Sequence, residues 1–222
     1  MYELVISGGD SFTFGAELES DNRVNPSPNS WANLVAQRIG KQHVNVARSG
    51  RSNSYIVRHV LHQLNTATQQ GISTDQIFVQ VMWTFTDRNE FALSIPIPEY
   101  DSPWFGLTPY SHVDETESNW FKNLKSTVKN WQSVRRDLKN NYNRNCELGI
   151  VDFAKQYRKL IQTSTLNDSY TSVKEVLLLQ SILESKNIDY LFTYVNQNVM
   201  FGLIEDSKEN QYLGSIRNFV VF

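Results

Sequence analysis

Residues 2–8, YELVISG, are an apolar, β-prone run that stops on Gly8-Gly9 and is followed at once by Asp10-Ser11. A strand of this kind, with no polar alternation, suits a parallel sheet covered on both faces. The segments after it keep the same rhythm. WANLVAQRIG places Trp31, Leu34, Val35 and Ile39 at helical spacing; Asn29 or Ser30 can cap its start and Gly40 can end it. HVNVAR, residues 43–48, reads as a second strand. Ser52 or Asn53 then caps a helix running to about Thr68, with Ile56, Val60, Leu61 and Leu64 on one side. QIFVQVMW, residues 76–83, is a third strand, and DYLFTYV, residues 189–195, a fourth. Strands alternating with helices predict an α/β fold with a parallel sheet.

Residues 92–118 break the rhythm. Pro96, Pro98, Pro103 and Pro109 lie there, interleaved with Tyr100, Trp104, Phe105 and Tyr110. A stretch this long exceeds an ordinary connection and reads as an insertion or a lid over the strand ends. Helical patterns follow at about 118–143, 147–163 and 170–186, and 216–222 can form a further strand. The stripe Trp120, Phe121, Leu124, Val128, Trp131, Val134 reads as core or as a partner-facing surface. At 222 residues and 40% hydrophobic composition, one large domain with this insertion is expected.

Lys and Arg total 21 against 23 Asp and Glu, so there is no basic excess to hold a nucleic-acid backbone. Cys146 is the one cysteine, which excludes a disulfide framework and a cysteine-rich zinc site. No apolar run is long enough for a membrane span. The first residues lack the basic region of a signal peptide, so the expected location is the cytoplasm or a phage or virion particle assembled there. No phosphate-binding loop, dinucleotide fingerprint or metal spacing appears. Asp10 beside the first turn would repel a phosphate, so no cofactor and no metal are expected.

Ser7-Gly-Gly-Asp-Ser-Phe-Thr-Phe-Gly15 carries the chemistry. It follows the first strand, and ligand sites in open parallel sheets gather beyond the C-terminal strand ends. A serine on a glycine-flanked turn can present its hydroxyl, with backbone N–H groups converging beside it. The alternative is an ordinary turn in which Asp10 or Ser11 caps a helix. Phe12 and Phe14 are expected to pack under the turn. A second block, Asn45-Val-Ala-Arg-Ser-Gly-Arg-Ser-Asn53, ends the second strand. These two blocks, in this order, resemble the SGNH (GDSL) hydrolase family. The resemblance implies a flavodoxin-like three-layer α/β/α sandwich, with strand order 2-1-3-4 and the first strand central. It implies Ser11 as nucleophile, oxyanion donors from the N–H groups of Ser11 and Gly50, and supporting roles for Asp10, Asn45 and Asn53.

The chain departs from that pattern twice. Where the family has Gly-x-Asn-Asp, it reads Met82-Trp-Thr-Phe-Thr-Asp-Arg88, which resembles a divergent branch with many phage and bacterial members. Thr84 or Thr86 could donate a hydroxyl to the oxyanion instead, with Asn89 a looser candidate. The family's late Asp-x-x-His is absent. Either the chain is truncated after Phe222, or it belongs to members that work without that base. Of the four histidines, His112, in the insertion with Asp114 and Glu115 close by, is the candidate base. His59 and His62 are expected on the helix surface, and His43 at the wrong end of the sheet. Two functions compete. One is a serine esterase or deacylase acting on a small-molecule or carbohydrate ester. The other is a binding or structural module that keeps the fold without the catalysis.

Overall fold

A computed structural model describes residues 1–16, 18, 25–97, 102–108, 111, 131–160 and 165–195. The chain is α/β, with a four-stranded parallel sheet at its centre. The strands are β1 (Tyr2–Gly8), β2 (Gly40–Asn45), β3 (Ile77–Trp83) and β6 (Asp189–Tyr194), in the order β2-β1-β3-β6. Register sets Ser7 against Asn45 on one side and against Gln80 on the other, while Val79 pairs with Tyr190. Parallel pairing and the central first strand follow the sequence expectation. The second strand, however, begins at Gly40 rather than at residue 43, directly from the preceding helix. A side chain at position 40 would collide with Val5 Cγ2, so glycine lets the chain turn into the sheet there.

Helices α2 (Trp31–Ile39) and α3 (Asn53–Gln69) cover opposite faces of the sheet. Successive strand residues point to opposite sides. Leu4, Ile6, Val79 and Val81 belong to a buried cluster with Ile56, Val57, Val60 and Leu64 of α3. Gln80, on the other face, donates to the Ala32 carbonyl of α2. Helix α6 (Thr165–Ser185) adds Val173, Val176, Leu179 and Leu183 to the α3-side cluster. Each fully buried aliphatic side chain contributes roughly 1.5–3 kcal/mol, and these residues form the main core. Caps set the helix starts. Ser30 Oγ accepts from the Asn33 N–H at 3.3 Å and Ser52 Oγ from the Tyr55 N–H at 3.1 Å.

In the region of the broken rhythm, β4 (Asn89–Ile97) and β5 (Ser102–Leu107) form a two-stranded sheet of their own. The chain divides into two compact units. One takes the described residues from Met1 to Gly106 and from Thr165 onward, and the other is Leu107–Ser164. The latter holds α4 (Trp131–Glu147) and α5 (Ile150–Leu160), with Ile150, Val151, Ala154 and Tyr157 buried. Residues 120–130 of the apolar stripe and the strand expected at 216–222 lie outside the described residues. No helix among the described residues is long and apolar enough to cross a membrane.

Candidate active site

β1 delivers the chain to Gly8, and the turn Gly9-Asp10 leads into α1 (Ser11–Phe14), a single helical turn. A Cβ on Gly9 would overlap the side chain of Thr13, so the tight turn requires glycine. Asp10 is fully buried and caps α1. Its Oδ1 accepts from the Phe12 N–H at 3.0 Å. Its Oδ2 accepts from Thr84 Oγ1 at 2.7 Å and from Arg88 Nη1 at 2.8 Å. Arg88 Nη1 also donates to Thr84 Oγ1 at 2.7 Å. A buried carboxylate is tolerated when its lone pairs are filled and its charge is paired, and both conditions hold here. The effect is to fix the turn that carries Ser11.

Ser11 is the first residue of α1 and is half-buried. Its Oγ makes no hydrogen bond among the described residues. The opening N–H groups of a helix have no partner within it. That of Phe12 goes to Asp10, whereas that of Ser11 makes no hydrogen bond among the described residues. Phe14 is buried as expected, but Phe12 is 55% exposed and does not pack under the turn. The reason is geometric: positions two apart on a helix point to opposite sides, and only one of the two meets the core.

The second block lies against this turn. The Val46 N–H donates to the Ser7 carbonyl at 2.8 Å and the Arg48 N–H to the Gly9 carbonyl at 3.3 Å. Asn45 Nδ2 donates to the Thr13 carbonyl at 3.0 Å, and Asn45 Oδ1 accepts from the Ala47 N–H at 3.0 Å. Asn45 thus ties α1 to the end of β2. Asn53 is buried: its Oδ1 accepts from the Thr84 N–H at 2.9 Å, and its Nδ2 donates to the Thr84 carbonyl and to Ser172 Oγ. Ser52, not Asn53, caps α3. Gly50 has φ of +73°, and a Cβ there would meet nothing within 4 Å among the described residues. The loop is open at that point, and glycine is favoured there by backbone conformation rather than by crowding.

The third block differs from expectation. The one hydroxyl proton of Thr84 is committed to Asp10, and its N–H to Asn53, so Thr84 has no donor left for an oxyanion. Asn89 is likewise engaged, donating through Nδ2 to Asp168 Oδ1 at 3.3 Å. The Thr86 hydroxyl makes no hydrogen bond among the described residues. Arg88, the last residue of that block, holds Asp10.

His43 does not stand apart at the far end of the sheet. It pairs with Val5 in mid-strand, and its Nε2 lies 2.7 Å from Ser7 Oγ. Gln80 Nε2 donates to Ser7 Oγ at 2.6 Å; with the acceptor Asn33 Oδ1 beside Nδ1, the neutral ring leaves Nε2 to accept the Ser7 proton. Nδ1 then carries the imidazole proton and donates to Asn33 Oδ1 at 3.1 Å. Serine, histidine and asparagine are joined in the order of a hydrolase triad. Ser7, however, is fully buried, so no substrate reaches it and the relay braces β1, β2, β3 and α2. Burial holds the His43 pKa below its ordinary value. The sequence signal was available: Ser7 and Gln80 are polar residues facing inward on otherwise apolar strands.

His59 stacks on Tyr55 at 3.9 Å between ring centroids. Burial first, then the charge of Arg58 and neighbouring arginines, lowers its pKa to about 4. His62 is exposed. His112 lies outside the described residues. Among the described residues, no cluster of His, Cys, Asp or Glu could hold a metal ion. No protein-family model matches the sequence, and no curated protein and no solved structure matches it.

Proposed function

We propose that this chain is a serine ester hydrolase of the SGNH type, with a three-layer α/β/α sandwich and Ser11 as nucleophile. One observation carries the reading: Ser11 sits at the end of the central strand, on a turn locked by the buried Asp10, with its hydroxyl unengaged among the described residues. In the reaction, Ser11 Oγ attacks the ester carbonyl and loses its proton to a general base. The carbonyl electron pair moves to oxygen, where the N–H groups of Ser11 and Gly50 stabilise the charge. Collapse expels the alcohol, which takes up the proton, and water then releases the acid from Ser11. His112 is the proposed base. The substrate is a small-molecule ester, with acetylated carbohydrate the favoured class because aromatic residues crowd the β4–β5 region.

A second reading has its own support. Thr84 has its hydroxyl and N–H donors committed elsewhere, Asn89 gives an amide proton to Asp168, and Ser11 Oγ has no imidazole bonded to it among the described residues. These facts favour a binding module that keeps the fold without the chemistry. Hydrolysis of 4-nitrophenyl acetate by the chain and by Ser11→Ala separates the two. The esterase reading expects turnover that vanishes in the variant. The module reading expects the same slow background from both.

A further inference from the structure

Arg51, the residue after Gly50, is a half-buried arginine that touches no carboxylate among the described residues; it feels the Glu90 charge through space, while that carboxylate is bonded to Arg58. The Arg51 guanidinium lies 5.0 Å from the centroid of the Tyr55 ring and makes no ion pair among the described residues. A second arginine against the Tyr55 ring, in α3, is treated differently. Arg58 Nη2 binds Glu90 Oε1 at 2.8 Å, and the Trp104 ring covers its guanidinium at 4.4 Å. Trp104 and position 106 are two apart on β5 and therefore point the same way. Where Trp104 covers Arg58, position 106 faces Arg51 and is glycine. A Cβ built there would meet Arg51 Nη1 at 3.6 Å and nothing else within 4 Å among the described residues. One strand thus covers the ion-paired arginine with an indole and leaves a notch over the arginine that makes no ion pair among the described residues.

Glu90 is one carboxylate shared by two guanidiniums, Arg58 by contact and Arg51 through space, which leaves the Arg51 N–H donors open to an anion. The planar Arg51 fork fits a carboxylate, or the oxygens of a sulfate or phosphate group, through two parallel N–H donors. Arg51 follows Gly50 in the loop whose Arg48 N–H is bonded to the Gly9 carbonyl, so the notch belongs to the second block's side of the Ser11 turn.

We infer that Arg51 and the notch left by Gly106 bind an oxyanion group carried by the substrate, so that the ester this chain acts on is an anionic one. This rests on the esterase reading for the identity of the ligand, but the anion site itself does not depend on it. Arg58, ion-paired to Glu90 and covered by Trp104, frames one side of the site. The Tyr55 face holds the guanidinium so that its fork faces the notch.

The test follows the Arg51 Nε–Hε NMR resonance of the full chain during titration with succinate and, separately, with inorganic sulfate. Saturable movement of that resonance is expected, with the Arg88 resonance still. Gly106→Val fills the notch without backbone strain, because position 106 is ordinary extended strand, and should abolish the movement while leaving the circular dichroism spectrum intact. Arg51→Gln should lower the ratio of kcat/KM for 4-nitrophenyl hemisuccinate over 4-nitrophenyl acetate by about 10-fold, the scale of one charge-assisted contact. Movement with one anion alone identifies the group as carboxylate or sulfate-like. Saturable movement in a chain that hydrolyses neither ester upholds the anion site and removes the esterase reading. No movement, movement equal in Gly106→Val, or hydrolysis with an unchanged ratio in Arg51→Gln overturns the inference.

Discussion

Thr84 Oγ1 gives its only proton to Asp10 Oδ2 across 2.7 Å, joining the residue after β3 to the turn after β1. Two strand ends are locked together by a side-chain contact that buries a carboxylate, and Arg88 supplies the balancing charge. The hydroxyl therefore acts on the scaffold. Thr84→Val is expected to lower stability by about 1–3 kcal/mol, the cost of leaving a buried acceptor short of a donor, while Thr84→Ser retains it. Urea denaturation of both variants checks this. A loss of kcat near 10²–10³-fold in a Thr84→Val protein of unchanged stability would instead give Thr84 the oxyanion role.

Gly50 separates conformation from chemistry. Its φ of +73° is strained for any side chain, yet a Cβ there is uncrowded. Gly50→Val should cost about 1–3 kcal/mol of folding stability, and on the esterase reading the loop shift should also displace the N–H proposed as an oxyanion donor. Esterase activity should fall further than the folded fraction does. Activity and folded fraction falling together, measured by kcat and thermal melting on the same samples, would leave Gly50 as a turn residue alone.

The histidines predict a pH dependence. The His59 pKa is lowered from 6.5 to about 4 by burial and nearby arginines, and His43 is lowered by burial. A depressed histidine binds its proton more readily in the unfolded chain than in the folded one. Stability from this source is therefore present in full above about pH 6.5 and is lost as pH falls toward about 4. Urea midpoints between those limits should decline, and His59→Gln should flatten part of the decline. An unchanged slope in His59→Gln would mean that His59 titrates alike in both states. The same relay predicts neutral His43 with its proton on Nδ1, readable from imidazole nitrogen shifts.

Much of the sheet was legible in the sequence because its signals are local. The run at 4–6 is Leu-Val-Ile on both faces, and Ser30 stands just before a helical pattern. The turn at Gly9-Asp10-Ser11 was legible for the same reason. What a side chain touches across the fold was not. Asn53 follows a serine that caps α3 just as well, and only the tertiary structure sends its amide to Thr84. His43 looked remote because sequence gives no cross-strand geometry, whereas its ring reaches diagonally to Ser7. Thr84 looked like a donor in waiting because the buried acceptor that takes its proton lies 74 positions earlier. Gly106 carried no signal, since its meaning depends on Arg51 lying beneath it.

The central claim is that Ser11 is the nucleophile, and the acyl-enzyme tests it most directly. The chain, its Ser11→Ala variant and its His112→Ala variant are each mixed with excess 4-nitrophenyl acetate, quenched in acid, digested and weighed by mass spectrometry. Base assistance is worth about 10²–10⁴-fold, so acetylation should be slowed by that order in His112→Ala. The account predicts one acetyl group on the peptide containing Ser11 in the unaltered chain, and none on that peptide in Ser11→Ala. An equal rate of 4-nitrophenol release by Ser11→Ala, with acetyl groups only on residues elsewhere, would contradict it.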